Sequence, residues 1–206
     1  KDFNENELVK YLMYVDANSL YAHVMEHYSF PIGDFKEEDP NIDLEQFTND
    51  TDRGCFILCD IHYPEQLHDY FNSLPPCPTH DVVNNNEMSN YLKEGYEKLN
   101  MKHDNKNRKL MNTLMNKEKY LMHHIHFKLV KSLGVEITKI HQVISFKQEK
   151  FLKDFINLCA KKRKFAKSIL DEMLSNLFKL IPNSIYGKFI ENVRKRANYS
   201  IVDTTI

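Results

Sequence analysis

The ten residues 179–188, Lys-Leu-Ile-Pro-Asn-Ser-Ile-Tyr-Gly-Lys, carry the most informative pattern in the chain. In a helix, Lys179, Asn183 and Tyr186 occupy positions i, i+4 and i+7, so that an ammonium, an amide and a flat ring share one face. Such a face suits a planar, phosphorylated ligand. An ordinary amphipathic helix with Tyr186 in its core fits the same spacing, so this stretch alone leaves both interpretations open.

A second stretch begins at the other end of the chain. Residues 9–16 predict a buried strand that ends at Asp16, and residues 18–27 predict a helix with Asn18 or Ser19 as its N-cap. A carboxylate at such a turn suits a divalent cation beside a phosphate. An aspartate that merely caps the following helix fits equally well.

The third stretch is the basic run at 161–167, which holds five lysine or arginine side chains in seven residues. Arg163 and Lys167 are four residues apart and therefore project from one side of a helix, as a clamp on a polyphosphate requires. A charge run is also typical of a solvated helix face.

Charge is divided unevenly along the 206 residues. Residues 1–100 hold 6 basic and 20 acidic side chains (net −14), and residues 101–206 hold 22 basic and 9 acidic ones (net +13). The basic half indicates an anion-binding surface, with nucleic acid the commonest large polyanion. No run of about 18 apolar residues and no signal-peptide pattern occurs, so we expect an intracellular protein, nuclear or in a cytoplasmic viral factory, that is neither secreted nor membrane-bound.

The remaining pattern predicts an α+β domain whose basic helices come last. Residues 29–51 indicate a loop, 54–64 a strand, 79–118 a polar insertion with a weak helix near 88–99, 119–133 a helix, 135–146 a strand, and 150–178 a long helix or helix pair followed by helix to about residue 196.

In this order, the three stretches resemble the core of a family B DNA polymerase. DANSLY at 16–21 is similar to that family's motif A, DxxSLYP, and KLIPNSIYGK at 179–188 resembles motif B, KxxxNSxYG. The most similar subgroup is the protein-primed polymerases of linear viral genomes, linear plasmids and Maverick or Polinton type transposons. Residues that also resemble such polymerases are YSFPIGDFK (28–36), residues 59–78, GVEITKIHQVISFKQ (134–148) and ENVRKR (191–196).

The resemblance implies a fold and a division of the chain. The fold is α+β: a partial polymerase palm (an antiparallel sheet with helices), an inserted subdomain resembling the terminal-protein region, and a helical fingers segment. The implied parts are the palm with motif A (1–34), the inserted subdomain (35–133), a palm strand (134–148), the fingers helices with motif B (149–190) and a truncated return to the palm (191–206).

The resemblance also implies roles for individual residues. Asp16 is the implied catalytic carboxylate, and it ligates metal together with the carbonyl of Ala17. The implied nucleotide-binding residues are Tyr21, Arg163, Lys167, Lys179, Asn183 and Tyr186, of which Tyr21 stacks under the incoming sugar and excludes a 2′-hydroxyl. The implied DNA-binding residues are Ser184, Gly187 and Lys188.

The implied activity is template-directed DNA synthesis by two-metal attack of a 3′-hydroxyl, or of a primer-protein hydroxyl, on the α-phosphate. Its cofactor is Mg²⁺ or Mn²⁺, and its partners are primer-template DNA, deoxynucleoside triphosphates and a terminal primer protein.

The chain departs from the family pattern at three points. Ala22 replaces the proline of motif A, and Pro182 inside motif B predicts a kink that misaims Lys179. No DTD motif C is present, because Val202-Asp203-Thr204 offers a single carboxylate. We therefore expect an incomplete metal pair and little or no polymerisation by this chain alone.

Two interpretations of the whole chain follow. Because it begins with Lys1 and no proofreading exonuclease sequence precedes the palm, we interpret it as a palm and fingers fragment, either from a partial gene model or from a decayed copy of a mobile element. The alternative is a non-catalytic nucleic-acid-binding relic of such an element.

Overall fold

The computed structural model of the chain describes residues 13–84, 86, 88–102 and 106–197, which form parts of two compact units. The first unit comprises residues 1–30 and 149–206, and the second comprises residues 31–148. The helices are α1 (Leu20–His27), α2 (His68–Phe71), α3 (Asn90–Lys98), α4 (His124–Ser132), α5 (Lys153–Ser168) and α6 (Glu172–Phe189). The strands are β1 (Phe30–Glu38), β2 (Arg53–His62), β3 (Thr79–Asp81), β4 (Lys109–Met111), β5 (Lys117–His123) and β6 (Glu136–Glu149). This mixture of helices and antiparallel sheet confirms the predicted α+β class.

The second unit is built on a four-stranded sheet in the order β1-β6-β2-β5. Strand β2 is antiparallel to both of its neighbours, β5 and β6. Every second side chain along β2 is fully buried, as expected for a strand with one face on a core: Cys55, Ile57, Cys59 and Ile61. Phe127 and Val130 of α4 belong to the same core.

Asp60 occupies an irregularity in the middle of this sheet. The pairing of β2 slips beside Asp60 on both sides, toward β5 and toward β6. One carboxylate oxygen accepts a hydrogen bond from the backbone N–H of Lys119 at 2.8 Å and lies 2.7 Å from Nε2 of His141. These two contacts, in that order of importance, hold the pKa of Asp60 below its ordinary value.

The predicted loop over 29–51 is wrong in its first part, because β1 spans Phe30–Glu38. The loop prediction rests partly on Pro31, which lacks a backbone N–H. An edge strand such as β1 leaves alternate N–H groups unpaired and therefore tolerates a proline. Gly33 (φ +132°) and Asp34 (φ +51°) adopt left-handed backbone within the strand. Arg53 then binds Asp34 through both its carboxylate, at 2.6 Å, and its carbonyl, at 2.9 Å.

The helix predicted over 119–133 is wrong in its first half. Residues Lys117–His123 form β5, and the helix α4 begins only at His124. In β5 the apolar residues Tyr120 and Met122 alternate with polar or exposed ones, a period of two that the short run did not distinguish from a helix. The weak helix predicted near 88–99 is present as α3. Strand β3, which precedes α3 in the sequence, pairs with β4, which follows it.

The helices predicted after residue 150 are present as α5 and α6, but α6 ends at Phe189 and does not extend to about residue 196. The break between them contains Leu170 (φ +57°), and the side chain of Asp171 accepts from the N–H of Leu174 to cap α6. Helix α6 continues through the buried Pro182 without interruption. No helix among the described residues is long and apolar enough to cross a membrane.

The division of the chain into palm, inserted subdomain and fingers stays a prediction. Strand β6, which the resemblance assigns to the palm, pairs with β2 and forms part of the sheet of the second unit. The strand predicted over 9–16 falls partly outside the described residues, and its described part, 13–16, is not a strand. Met13, Tyr14 and Val15 are exposed there, so the buried strand predicted for this stretch is not present in its described part.

The lowered pKa of Asp60 predicts an acid-dependent loss of stability. A carboxylate whose pKa is depressed in the folded state stabilises the fold above its unfolded pKa, and this contribution is lost as the pH falls through the folded pKa. We expect wild-type protein to lose stability below about pH 4, and Asp60→Asn to show a smaller loss over the same range, as measured by urea unfolding. Asp69→Asn, which removes an exposed carboxylate without these contacts, is the control and should retain the wild-type slope.

Candidate functional site

Helix α1 begins directly after the residues predicted to hold a metal. Asp16 and Ala17 are exposed, and a turn at Asn18 and Ser19 connects them to the helix. Ser19 is the N-cap residue of α1, one of the two predicted, but it has left-handed backbone (φ +53°) and its side chain makes no capping hydrogen bond. Its carbonyl instead accepts the N–H of His23 at 3.0 Å, which closes the first helical turn.

The two tyrosines of motifs A and B stack on each other. The ring centroids of Tyr21 and Tyr186 are 3.8 Å apart, and the ring planes are inclined by 6°. Tyr21 is the second residue of α1, and Tyr186 lies in the last turn of α6. The structure therefore brings together two residues that sequence analysis assigned to one nucleotide site.

A small apolar cluster fixes α1 against α5 and α6. Met25 is buried to 2% exposure together with Leu152 and Ile156. The side chains packed against this cluster are Ala22, Phe30, Ile185 and Tyr186. Because Tyr186 belongs to it, burial of Met25 also determines where the tyrosine pair lies. Ala22, the replacement for the family proline, fills a packed position here.

Arg163 joins α5 to the turn before α1. Its Nη1 donates to Oγ of Ser19 at 3.4 Å, a long hydrogen bond. Its Nε is buried and has no hydrogen-bond partner among the described residues. Sequence analysis missed Ser19 as a contact of Arg163, because no local pattern connects residues 144 positions apart.

The two lysines predicted to hold the triphosphate are exposed. No described carboxylate lies within 4.0 Å of Lys167 or Lys179, so both ammonium groups are open to an anionic ligand. Asn183 is also exposed on α6. The described contacts do not bring these three side chains onto Tyr21, Tyr186 or Arg163.

The three predicted DNA-binding residues differ from one another. Ser184 donates to the carbonyl of Leu180 at 3.0 Å within α6. A side chain placed at Gly187 would meet no atom within 4 Å, so the backbone there is open to close approach. Lys188 forms an ion pair with Glu191, a partner that sequence analysis did not single out.

No group of three or more histidine, cysteine, aspartate or glutamate side chains among the described residues could hold a metal ion. The second candidate carboxylate, Asp203, lies outside the described residues, as does the last part of the predicted return to the palm, 198–206. Of the carboxylates considered for a metal site in the sequence, the described residues include Asp16 alone, and its role as a metal ligand with Ala17 stays a prediction.

Comparisons with known proteins identify the family. A model of DNA polymerase type B, organellar and viral, matches residues 1–205. The chain belongs to this family of type B DNA polymerases, which confirms the resemblance of its motifs. No match is found among curated proteins.

Two solved structures are similar to the chain. One is phi29 DNA polymerase in an orthorhombic crystal form, and the other is phi29 DNA polymerase complexed with primer-template DNA, a post-translocation binary complex. In both comparisons the TM-score is 0.48, the sequence identity is 18%, and 86% of this chain is covered. The chain spans 26% and 25% of the two phi29 polymerase chains.

The apolar cluster predicts a large difference between two methionines of the first unit. Met25→Ala removes a buried side chain and should destabilise this unit by about 2–5 kcal/mol, because it leaves a cavity. Met173→Ala, at a position 81% exposed on α6, is the matched control. Urea unfolding followed by helical circular dichroism measures both, and equal stabilities of the two variants would contradict the assigned role of Met25.

Proposed function

We propose that this chain contributes the nucleotide- and DNA-binding part of a protein-primed DNA polymerase, an enzyme of template-directed DNA synthesis. The observation that carries the proposal is the stack of Tyr21 on Tyr186, since it connects motif A with motif B through space. The family to which the chain belongs gives the reaction class. A deoxynucleoside triphosphate would contact every residue type in the proposed site, because it combines a base, a sugar and phosphates.

In this proposal each part of the nucleotide has its own contacts. The ring of Tyr21 lies under the sugar and leaves no room for a 2′-hydroxyl, while Tyr186 and Asn183 line the pocket of the nascent base pair. Lys167 and Lys179 hold the triphosphate, since both are free of carboxylate partners among the described residues. Arg163 joins them by exchanging its long hydrogen bond with Ser19 for a phosphate oxygen.

We propose Mg²⁺ or Mn²⁺ as the cofactor, held by Asp16 and the carbonyl of Ala17. The donors fit a hard cation: both are oxygens, and both residues are exposed. Mg²⁺ is commonly bound by one or two carboxylates together with substrate phosphates, so the nucleotide itself would complete the ligand set. When bound, the cation would supply Lewis-acid stabilisation of the phosphate that is attacked.

Primer-template DNA is the proposed macromolecular partner. Gly187 offers open backbone, and Lys188 would turn from Glu191 to a phosphate of the template strand. Ser184 would exchange its bond to Leu180 in the same way. The phi29 polymerase of one similar structure is itself complexed with primer-template DNA. For the inserted subdomain at 35–133 we propose contact with a terminal primer protein.

Titration of the purified chain with a deoxynucleoside triphosphate and Mn²⁺ tests the proposal without requiring turnover. Intrinsic tyrosine fluorescence should change saturably, because the nucleotide separates two stacked rings. Lys167→Ala and Lys179→Ala should each weaken binding by about tenfold or more, since each removes a charge-assisted contact to phosphate. Lys102→Ala, an exposed lysine of the second unit, should bind as wild type.

Unchanged affinity in both Lys167→Ala and Lys179→Ala would refute the proposed triphosphate contacts. Absence of any saturable change in folded wild-type protein would favour the alternative, a non-catalytic nucleic-acid-binding relic. That alternative predicts DNA binding that depends steeply on salt and is independent of nucleotide and Mn²⁺.

The role of Tyr21 predicts a change in sugar selection. In wild type the ribonucleotide should bind more weakly than the deoxyribonucleotide, because the 2′-hydroxyl meets the tyrosine ring. Tyr21→Ala should bring the ratio of the two dissociation constants close to one, measured by competition with a fluorescent nucleotide. Tyr28→Ala, at a partly exposed tyrosine outside the stack, is the control; a ratio unchanged in Tyr21→Ala would contradict the assignment.

A further inference from the structure

Helix α5 presents a broad exposed surface beside and opposite its buried residues. This outer face is defined by Leu158, Lys161, Lys162, Lys164 and Phe165. All five side chains are exposed, with Phe165 at 58% and Leu158 at 51%. The buried residues of α5 are Ile156, Cys159 and Ala166. An aromatic ring that remains in solvent among three lysines is not accounted for by packing.

The lysines of the outer face have no acidic partners. Within the described part of the chain, no carboxylate comes within 4.0 Å of Lys161, Lys162 or Lys164. Elsewhere in the chain exposed lysines form ion pairs, as in Lys36 with Asp34 and Lys98 with Glu94. The outer face is therefore a concentrated, uncompensated positive charge that a polyanion would neutralise.

Lys161 and Phe165, at the centre of the outer face, point away from the proposed triphosphate contacts on the same helix. Each residue turns a helix by 100°, so Lys161 and Phe165 both project about 160° away from Arg163. Lys161 and Lys164 lie three residues apart and Lys161 and Phe165 four apart, which makes them neighbours on one surface. The same geometry places Lys161 about 120° and Phe165 about 160° from Lys167, whereas Lys164 lies three residues from Lys167 and is its neighbour. A ligand held by Lys161 and Phe165 would not meet Arg163, so this inference does not depend on the proposed nucleotide site.

We propose that the outer face of α5 binds single-stranded DNA. Sequence-tolerant binding of a single strand combines two elements. One is a row of lysines along the sugar-phosphate backbone, and the other is an exposed aromatic ring on which a base stacks. A duplex offers phosphates to the lysines but keeps its bases stacked, so that Phe165 would remain without a partner. DNA is the strand chosen because the chain belongs to a DNA polymerase family.

The test measures binding of a fluorescent 20-nucleotide oligo-dT to the full chain by anisotropy, at several salt concentrations and without nucleotide or metal. Lys161→Glu combined with Lys164→Glu should weaken binding and reduce the slope of log affinity against log salt by about 1.4, or 0.7 for each lost phosphate contact. Lys102→Glu combined with Lys109→Glu changes the net charge equally in the second unit and should leave affinity within about twofold of wild type.

A second pair of variants tests stacking and not charge. Phe165→Leu retains apolar bulk but removes the aromatic ring, and it should weaken oligo-dT binding at least about fivefold. Phe165→Trp, which provides a larger ring, should retain or strengthen binding. Circular dichroism confirms folding of each variant, and the nucleotide titration should be unchanged in both Phe165 variants, which separates failure of this inference from failure of the nucleotide site.

Four results would overturn the inference. The first is wild-type affinity in Phe165→Leu, and the second is an equal loss of affinity in Lys102→Glu/Lys109→Glu. The third is tighter binding of a blunt duplex of the same length, and the fourth is tighter binding of oligo-rU, which would identify RNA as the ligand. Loss of affinity and slope in Lys161→Glu/Lys164→Glu, together with ring dependence at position 165, would establish the surface.

Discussion

Burial of Met25 is the interaction on which the first unit depends. The residues of the proposed site come from distant parts of the sequence, with Ser19 and Arg163 separated by 144 positions. Local hydrogen bonds cannot unite them, so a shared apolar contact must offset the entropy of closing the intervening loop. Met25 makes that contact with Leu152 and Ile156, and Tyr186 packs against the same cluster. The stacked tyrosines are thus set by a core of ordinary hydrophobic residues.

Two arginines, Arg53 and Arg163, differ in how well their guanidinium groups are satisfied. In the second unit, Arg53 binds both Asp34 and Ser145, so its guanidinium is well satisfied within the sheet. In the first unit, Arg163 has a buried Nε without a partner among the described residues, and its one side-chain bond is long. An unsatisfied buried donor lowers stability. Chains tend to break such local rules at functional sites. Buried atoms without a partner among the described residues also occur in the second unit, on Tyr63, His124 and Gln148, but Arg163 differs from these in its permanent positive charge, with which a phosphate oxygen could pair.

The sequence predicts the motifs, most of the helices and the two central strands, β2 and β6. DANSLY and KLIPNSIYGK indicate the family, and α5, α6 and α3 follow from helical periodicity. The two edge strands of this sheet are the ones not predicted: β1 tolerates Pro31 because it lies at an edge, and β5 is a strand because β2 lies beside it. Neither neighbour is visible in local sequence. The same limit applies to the site, since residue types suggested Tyr21 and Tyr186, whereas the contact of Ser19 with Arg163 arises from tertiary packing alone.

Helix α5 has to satisfy two constraints at once, and this explains its composition. Its inner side must pack, which fixes Ile156, Cys159 and Ala166 as apolar or small and directs Arg163 toward Ser19. A solvated helix that needed only solubility would interleave acidic with basic residues at i, i+4 spacing, because such pairs stabilise it. Between Asp154 and the end of α5 no acidic residue occurs. The helix therefore forgoes the stabilisation of ion pairs along most of its length, as expected where phosphate groups supply the negative charge.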